Sequence, residues 1–401
     1  MAKIFPFLPY RYSEIAGPLV SLVTQPYDKI TPAMREIYLS QSPYNLVRII
    51  LGEYTAAAQL LKDWIEGGIL VQDKEASLFA YFQEFRVPDT GEYLVRKGFI
   101  GLGPVEDYSA KVVYRHEQTL SGPKKDRLEL LRATRAHCEQ LFMLYPDPQG
   151  EIDRILDEEA ASEPTCEVAD EYGAVHRLWR ISDAARIARI QQLMSDKKLL
   201  IADGHHRYET ALAFRKENPA SQDASKVVMT FVNMHSPGLK ILATHRLIYD
   251  LENFDEPDFL RRAEQAFRVE RIDSIESLIN RWAESKPGVF GVVVPGGMYI
   301  FEAKKPEAEL DVPVLHKSLI GGVLGITEDQ VRDGKHLRYI RGLDSAIQEV
   351  RSSTAQIACL LKPTSVQQVA DISFSGGVMP QKSTDFYPKL LSGLTIFKLQ
   401  D

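Results

Sequence analysis

From Ser77 to Val105, apolar and polar residues alternate through SLFAYFQEFRV and EYLVRKGFIGLG on either side of Pro88, Asp89, Thr90 and Gly91. A period of two residues flanking a turn cluster predicts an antiparallel hairpin. Elsewhere the period lengthens to that of a helix. TPAMREIYLSQSP places Pro32 at a first helical position with Thr31 as its cap, and TAAAQLLKDWIEGG stops at Gly67 and Gly68. Apolar positions recur at helical spacing from Leu128, SDAARIARIQQLMSD reads as a helix capped by Ser182, and EIDRILDEEAASEP reads as an acidic surface helix or linker. Short apolar runs read as strands: NLVRIILG from Asn45, HRLWRI from His176, Leu199 to Ala202, and KVVMTFVNM.

Beyond Leu251 the character changes. Two charged amphipathic helices, EPDFLRRAEQAF and SIESLINRWAES, alternate with the short strands RVERI, GVFGVVVP and MYIFEAK, a pattern that predicts a small inserted α/β unit over 251–313. SSTAQIACLLKP, the helix VQQVADIS, a polar loop and a terminal strand TIFKL then return to the main body. The expected architecture is mixed α/β: a core with a mixed sheet from 1–250 and 314–401, plus the insert.

Composition narrows the partners. The 48 lysines and arginines against 55 aspartates and glutamates leave a net charge of −7, which argues against a nucleic acid as the default partner. Cys138, Cys166 and Cys359 are far apart with no CxxC pair, so neither a disulfide framework nor a cysteine-rich zinc site is signalled. The opening MAKIFPFLPYRYSEIAGPLVSLV is interrupted by Pro6, Pro9 and Pro18 and does not read as a cleaved signal. No run approaches the roughly 20 apolar residues of a membrane span. A cytoplasmic protein without a membrane partner is expected.

The sharpest chemical feature is IADGHHRYETAL, Ile201 to Leu212. A strand, a tight Asp203–Gly204 turn and a helix start present first-turn amides that lack intrahelical acceptors, at the positive end of the helix dipole. Arg207 can clamp phosphate oxygens, His205 and His206 can add donors, and Asp203 at the strand end can act as a base or hold a divalent cation. Capping and pairing within a structural helix is the competing role, but polar residues crowded at a buried strand end are costly unless used. Zinc on His205 and His206 is the weaker reading, since adjacent helical residues point about 100° apart and a metal would need His116 or His245 as a distant partner. In MPQKSTDFYPKLLSGL, Lys382, Ser383 and Thr384 follow the glycine-rich Ser375–Gly377 and suit a phosphate loop, although the spacing excludes a Walker P-loop. RHEQTLSGPKKDRL combines Arg115, His116, Glu117 and Thr119 with Lys124, Lys125, Asp126 and Arg127, a mixture of acid/base groups and anion binders with which a solvated helix entry competes. For Arg11, Asp28, Asn45, Arg48, Thr244, His245 and Arg246, turn formation and surface pairing compete with substrate binding.

Together PFLPYRY, QPYDKI, NLVRI, RHEQT with KKDRLELLRAT, ADGHHRYETAL, Thr244–Arg246 and MPQKSTDFYPKLLSGL closely resemble the domain-of-unknown-function family 1015, from end to end of the chain. ADGHHR is in turn similar to the phosphate-binding signature of the ParB/sulfiredoxin superfamily. That superfamily includes nucleotide-hydrolysing partition proteins, sulfiredoxin and a free serine kinase, the last with a similar DGHHR. Sulfiredoxin's reactive cysteine has no counterpart in Gly204–Arg207, and no helix-turn-helix of a partition protein is evident. The resemblance implies a ParB-like nucleotide-binding core and a Mg²⁺-assisted phosphotransferase using ATP or ADP on a small hydroxylated metabolite such as serine. A phosphoserine phosphatase-like hydrolase and a non-catalytic nucleotide-binding regulator are the alternatives. Catalytic candidates are Asp203, which is also the metal candidate, with His205, His206 and Glu117. Gly204, His205, His206, Arg207, Lys382, Ser383, Thr384, Arg115, His116 and Lys125 are expected at phosphate. Arg11, Asp28, Asn45, Arg48, Thr244, His245 and Arg246 are expected at the substrate.

Overall fold

The computed structural model describes residues 2–88, 90–117, 121–285, 287–305, 310–380 and 382–400. Asp89 of the expected hairpin turn and Thr119 of RHEQT lie outside them. The fold is mixed α/β and divides into two compact units: Met1–Lys240 with Ile372–Val378 and Phe386–Asp401, and Ile241–Asp371 with Met379–Asp385.

The first unit is built on an eight-stranded sheet in the order Val113–Tyr114, Leu199–Asp203, Leu141–Tyr145, Lys226–Asn233, Tyr93–Pro104, Leu78–Arg86, Val175–Ile181, Cys166–Ala169. The sheet is mixed. Leu199–Asp203 runs parallel to Val113–Tyr114 and antiparallel to Leu141–Tyr145, which in turn is parallel to Lys226–Asn233. The expected hairpin forms, pairing Arg86 with Tyr93 and Phe79 with Ile100. One face of the sheet is apolar. Phe82, Phe99, Leu141, Met143, Leu199, Ile201 and Phe231 pack with Ile152, Leu156, Ile187, Ile190, Tyr208 and Ala211 of three covering helices. Each such side chain contributes about 1.5–3 kcal/mol through burial.

A β-bulge interrupts this regularity beside the DGHHR turn. Ile201 pairs with Met143 and Asp203 with Phe142, leaving Ala202 without a partner of its own. In an unbroken pleat Asp203 would share the core face of Leu199 and Ile201; the extra residue moves it to the face of Phe142.

Two local expectations are corrected. NLVRIILG is not a strand: Val47–Ile50 is a short helix, entered where the Asn45 side-chain oxygen accepts the Val47 N–H at 2.9 Å. Val47, Ile49 and Ile50 are buried, Ile49 and Ile50 in a second apolar cluster with Leu22, Leu61 and Trp64, so burial and local capping override β-propensity. Helix Ala184–Met194 is capped by Asp183, which accepts the Arg186 N–H at 2.8 Å, rather than by Ser182.

The second unit carries an antiparallel six-stranded sheet ordered Phe267–Ile272, Gly297–Ala303, Val289–Val294, Ile357–Leu360, His245–Ile248, Leu337–Ile340. Its bounds exceed 251–313 because the strands at 245–248 and 357–360, outside that interval, are central in this sheet. The π-helix Leu315–Val323 gave no recognisable sequence signal. Among the described residues no helix is long and apolar enough to cross a membrane.

Candidate functional site

Leu199–Asp203 ends at Gly204, which enters helix His205–Glu217 at φ 93°. Glycine is required there twice over. That conformation is strained for other residues, and an added β-carbon would lie 2.9 Å from Leu141 Cδ2 and 3.0 Å from Arg207 Nη2. The first intrahelical bond runs from the Tyr208 N–H to the Gly204 carbonyl at 2.9 Å, and no side chain caps the turn. The amides of His205, His206 and Arg207 therefore precede the helical ladder at its electropositive end.

The bulge delivers Asp203 into a cluster of cations. Its Oδ2 accepts from Arg207 Nη2 at 3.0 Å and its Oδ1 from Lys389 Nζ at 3.3 Å. Burial alone would raise the Asp203 carboxyl, but Lys389, Arg207 and Lys29 outweigh it and hold the group below the ordinary carboxylate range. Arg207 also donates from Nη1 to the Gln140 carbonyl at 2.5 Å. Burial works against its charge, yet Glu139, Asp203, Asp28 and Tyr27 together keep its ionisation above the usual arginine value.

Two histidines form the next layer. His116 Nδ1 lies 2.7 Å from the Ile201 carbonyl, which assigns the proton to Nδ1. The His116 backbone N–H points at His205 Nε2 at 3.4 Å, so that nitrogen is an acceptor and the His205 proton sits on Nδ1. The rings meet edge to face at 4.6 Å. Burial pushes both imidazoles below their ordinary pKa, and His116, His206 and Arg115 further disfavour charge on His205, so both are neutral at pH 7. Glu117 Oε1 stands 3.8 Å from His116 Nε2, and His206 is half-buried in the same first turn.

Among the sequence-predicted residues, Asp203, Gly204, His205, His206, Arg207, His116 and Glu117 thus come together. Asp28 joins them through its field on Arg207, carried by the turn Tyr27–Lys29, whose Tyr27 N–H donates to Glu139 Oε1 at 2.9 Å. Arg115 is directed onto the same helix, 3.4 Å from Glu209, with its guanidinium over the Tyr108 ring; Lys125 is exposed on helix Ser121–Thr134. Asn45 and Arg48 hold local structure instead: Asn45 Nδ2 donates to the Ser21 carbonyl at 2.8 Å, and Arg48 Nη2 to the Leu39 carbonyl at 2.6 Å. Arg11 pairs with Asp73 at 2.8 Å.

The remaining candidates belong to the second unit, where they cluster with one another. Buried Arg246 donates from Nη2 to the Lys382 carbonyl at 3.0 Å and lies over the Tyr339 ring. His245 Nδ1 accepts the Leu361 N–H at 3.2 Å. Ser383, which precedes Thr384 in the chain, donates from Oγ to the Pro380 carbonyl at 2.6 Å, and its own carbonyl accepts from Thr364 Oγ1 at 3.2 Å.

Sequence reasoning passed over Lys389, Glu139 and Arg96. Lys389 lies within FYPKLL, visible as a residue but not as a neighbour of Asp203. The Arg127 guanidinium covers the Tyr27 ring at 4.4 Å and donates to the Ile50 carbonyl at 2.5 Å. Glu139, buried with its carboxyl pushed up by desolvation, had no sequence signal.

Magnesium does not fit Asp203 in this arrangement. Both carboxylate oxygens already face cations, and adjacent positive charge disfavours a divalent ion. Among the described residues, no group of three or more His, Cys, Asp or Glu is placed to hold a metal.

Among solved structures, a variant of free serine kinase in complex with AMP superposes with a TM-score of 0.41 at 11% identity, covering 72% of this chain and 88% of its own. A variant of the same enzyme in complex with ADP gives 0.40 at 12%, with 72% and 89% covered. A conserved hypothetical protein from Pyrococcus furiosus gives 0.38 at 12%, with 72% and 92% covered. No curated protein matches the sequence. The family model described as "Protein of unknown function (DUF1015)" matches residues 4–319, most of the chain, and the protein belongs to that family.

Proposed function

We propose that this protein is a nucleotide-dependent phosphotransferase that uses ATP or ADP and acts on a small hydroxylated metabolite such as free serine. One observation carries the reading. The uncapped first turn of His205–Glu217 opens beside Arg207, Lys389 and Lys29, three cations gathered around the single carboxylate of Asp203. Amides and cations so arranged form a seat for phosphate oxygens. In-line phosphoryl transfer asks mainly for positioning and for neutralisation of charge on those oxygens.

In this reading the amides of His205–Arg207 and the Arg207 guanidinium receive the phosphates. His205, neutral with its proton on Nδ1, donates a hydrogen bond without adding charge. Asp203 is a weak proton acceptor because its neighbours hold it ionised, so it orients the acceptor hydroxyl and fixes Arg207 and Lys389. Glu117, beside His116, is the second carboxylate and the candidate to take the hydroxyl proton. No step runs through magnesium.

Calorimetry with ADP and ATP, followed by nucleotide-consumption assays with and without serine, tests the proposal. Arg207→Ala should cost about 1.5–3 kcal/mol of nucleotide binding. Serine-dependent nucleotide consumption supports transfer. Phosphoserine hydrolysis without nucleotide replaces it with a hydrolase, and tight binding without turnover replaces it with a regulatory switch.

A further inference from the structure

Lys389 reaches Asp203 from a segment with no regular secondary structure, yet its side chain is only 7% exposed and its position is well defined by neighbours. The reason lies in the sheet beneath. Arg96, 1% exposed, donates from Nη1 to the Tyr387 carbonyl at 3.1 Å and from Nη2 to the Pro388 carbonyl at 2.6 Å. Gln83 Nε2 donates to the Lys389 carbonyl at 2.8 Å. Three successive carbonyls are thus pinned from two adjacent strands.

The clamp is itself held. Gln83 Oε1 accepts from Arg96 Nε at 2.9 Å and also from Nη2, and the guanidinium carbon lies over Phe142, 4.5 Å from the ring centre. Phe142 is the residue that pairs with Asp203 across the bulge. Arg96 therefore touches the support of both partners: the backbone that carries Lys389 and the strand neighbour of Asp203. Among the described residues no carboxylate pairs with Arg96, and burial lowers its pKa to about 9. A cation buried on those terms is costly, and an apolar side chain would pack on Phe142 without that cost. Its five donors in a fixed planar fork are what an apolar residue cannot supply.

We infer that Arg96, assisted by Gln83, is a positioning residue: it fixes the Tyr387–Lys389 turn and so sets the Lys389 ammonium against Asp203. The inference rests on the proposed phosphate seat for what the pair does, and on hydrogen-bond geometry alone for how the pair is held.

Lysine-selective ¹⁵N NMR of the full chain without nucleotide tests the geometry directly. Lys389→Arg identifies the Lys389 ammonium signal, which should stand apart from exposed lysines and move in Asp203→Asn. In Arg96→Lys, and to a smaller extent in Gln83→Leu, that signal should collapse into the exposed-lysine envelope while circular dichroism is unchanged. A folded Arg96→Lys protein that keeps a separate, Asp203-dependent signal which Lys389→Arg abolishes, so that it is not that of the introduced lysine, overturns the inference. If Arg96→Lys does not fold, Gln83→Leu carries the same test with the same overturning result. ADP affinity is measured in parallel and should fall about tenfold in Arg96→Lys, the equivalent of one charged hydrogen bond. A wild-type protein that binds no nucleotide removes the phosphotransferase reading but leaves the NMR result to decide the positioning role.

Discussion

Replacing Asp203 by Asn keeps the shape of the side chain and removes the one charge that both Arg207 and Lys389 face. The two pairs, at 3.0 Å and 3.3 Å, are mostly buried, with side-chain exposures of 11% for Arg207, 7% for Lys389 and 21% for Asp203. Breaking such a pair by deleting one partner costs about 3 kcal/mol, because the remaining cations stay desolvated without compensation. At roughly 2–4 °C per kcal/mol for a unit of this size, the melting temperature should fall by roughly 6–12 °C in the absence of anions. Phosphate should act in the opposite direction. With the carboxylate gone, two cations face the helix amides, and inorganic phosphate, pyrophosphate or ADP should stabilise the variant more than the wild type. Differential scanning fluorimetry across phosphate concentrations reads both effects in one series, and a ligand at 100 times its Kd raises stability by about 2.7 kcal/mol. Turnover should fall while nucleotide affinity holds or rises, since the hydroxyl loses its orienting acceptor. The reasoning fails if Asp203→Asn melts at the wild-type temperature without anions, or if phosphate stabilises it less.

The same carboxylate sets an acid limit. Its folded-state pKa lies below the unfolded value of about 3.9, so its contribution is complete above that pH and is lost as the pH falls toward the folded value; Asp203→Asn should flatten this limb of an acid denaturation curve. His116 and His205 act higher. Being depressed by burial, they favour the folded state fully above about pH 6.5 and progressively less below it, a slope that His205→Gln should reduce in pH-dependent melts. Gly204→Ala should destabilise by about 1–3 kcal/mol from backbone strain alone, measured by urea denaturation, and weaken nucleotide binding as Arg207 is displaced. Asn45→Ala, which leaves the Val47 N–H and the Ser21 carbonyl without their partner, should cost about 1–3 kcal/mol of stability with nucleotide affinity unchanged; a selective loss of affinity would return Asn45 to the site.

What sequence reveals about this chain follows the range of the interactions involved. The hairpin around Pro88–Gly91, the helix capped by Thr31 and the strand–turn–helix at Asp203–Gly204 depend on neighbours within a few residues, and each is where alternation and capping place it. NLVRIILG fails as a strand because its apolar run is buried all round, which periodicity does not separate from a short helix. Asn45 and Arg48 carry family-like motifs yet serve backbone carbonyls nearby. Lys389 and Arg96 were invisible as site residues because their partners are 186 and 291 positions away, contacts that no local pattern encodes. The second unit outgrew its expected limits for the same reason, since strands on both sides of 251–313 meet only in the folded sheet.

Ala202 gives the strand a consequence of counting. Side chains along a strand keep alternate sides by odd and even position, and one surplus residue exchanges the two sets from that point on. Were Ala202 to take a partner in the ladder instead of bulging, the Asp203 carboxylate would turn toward Leu199 and Ile201, away from Lys389, whereas deleting Ala202 would leave Asp203 opposite Phe142 on the side it now occupies. A designer who moves Asp203–Arg207 to another sheet must therefore keep Ala202 from pairing in the ladder, because pairing it would reverse the side on which the carboxylate stands.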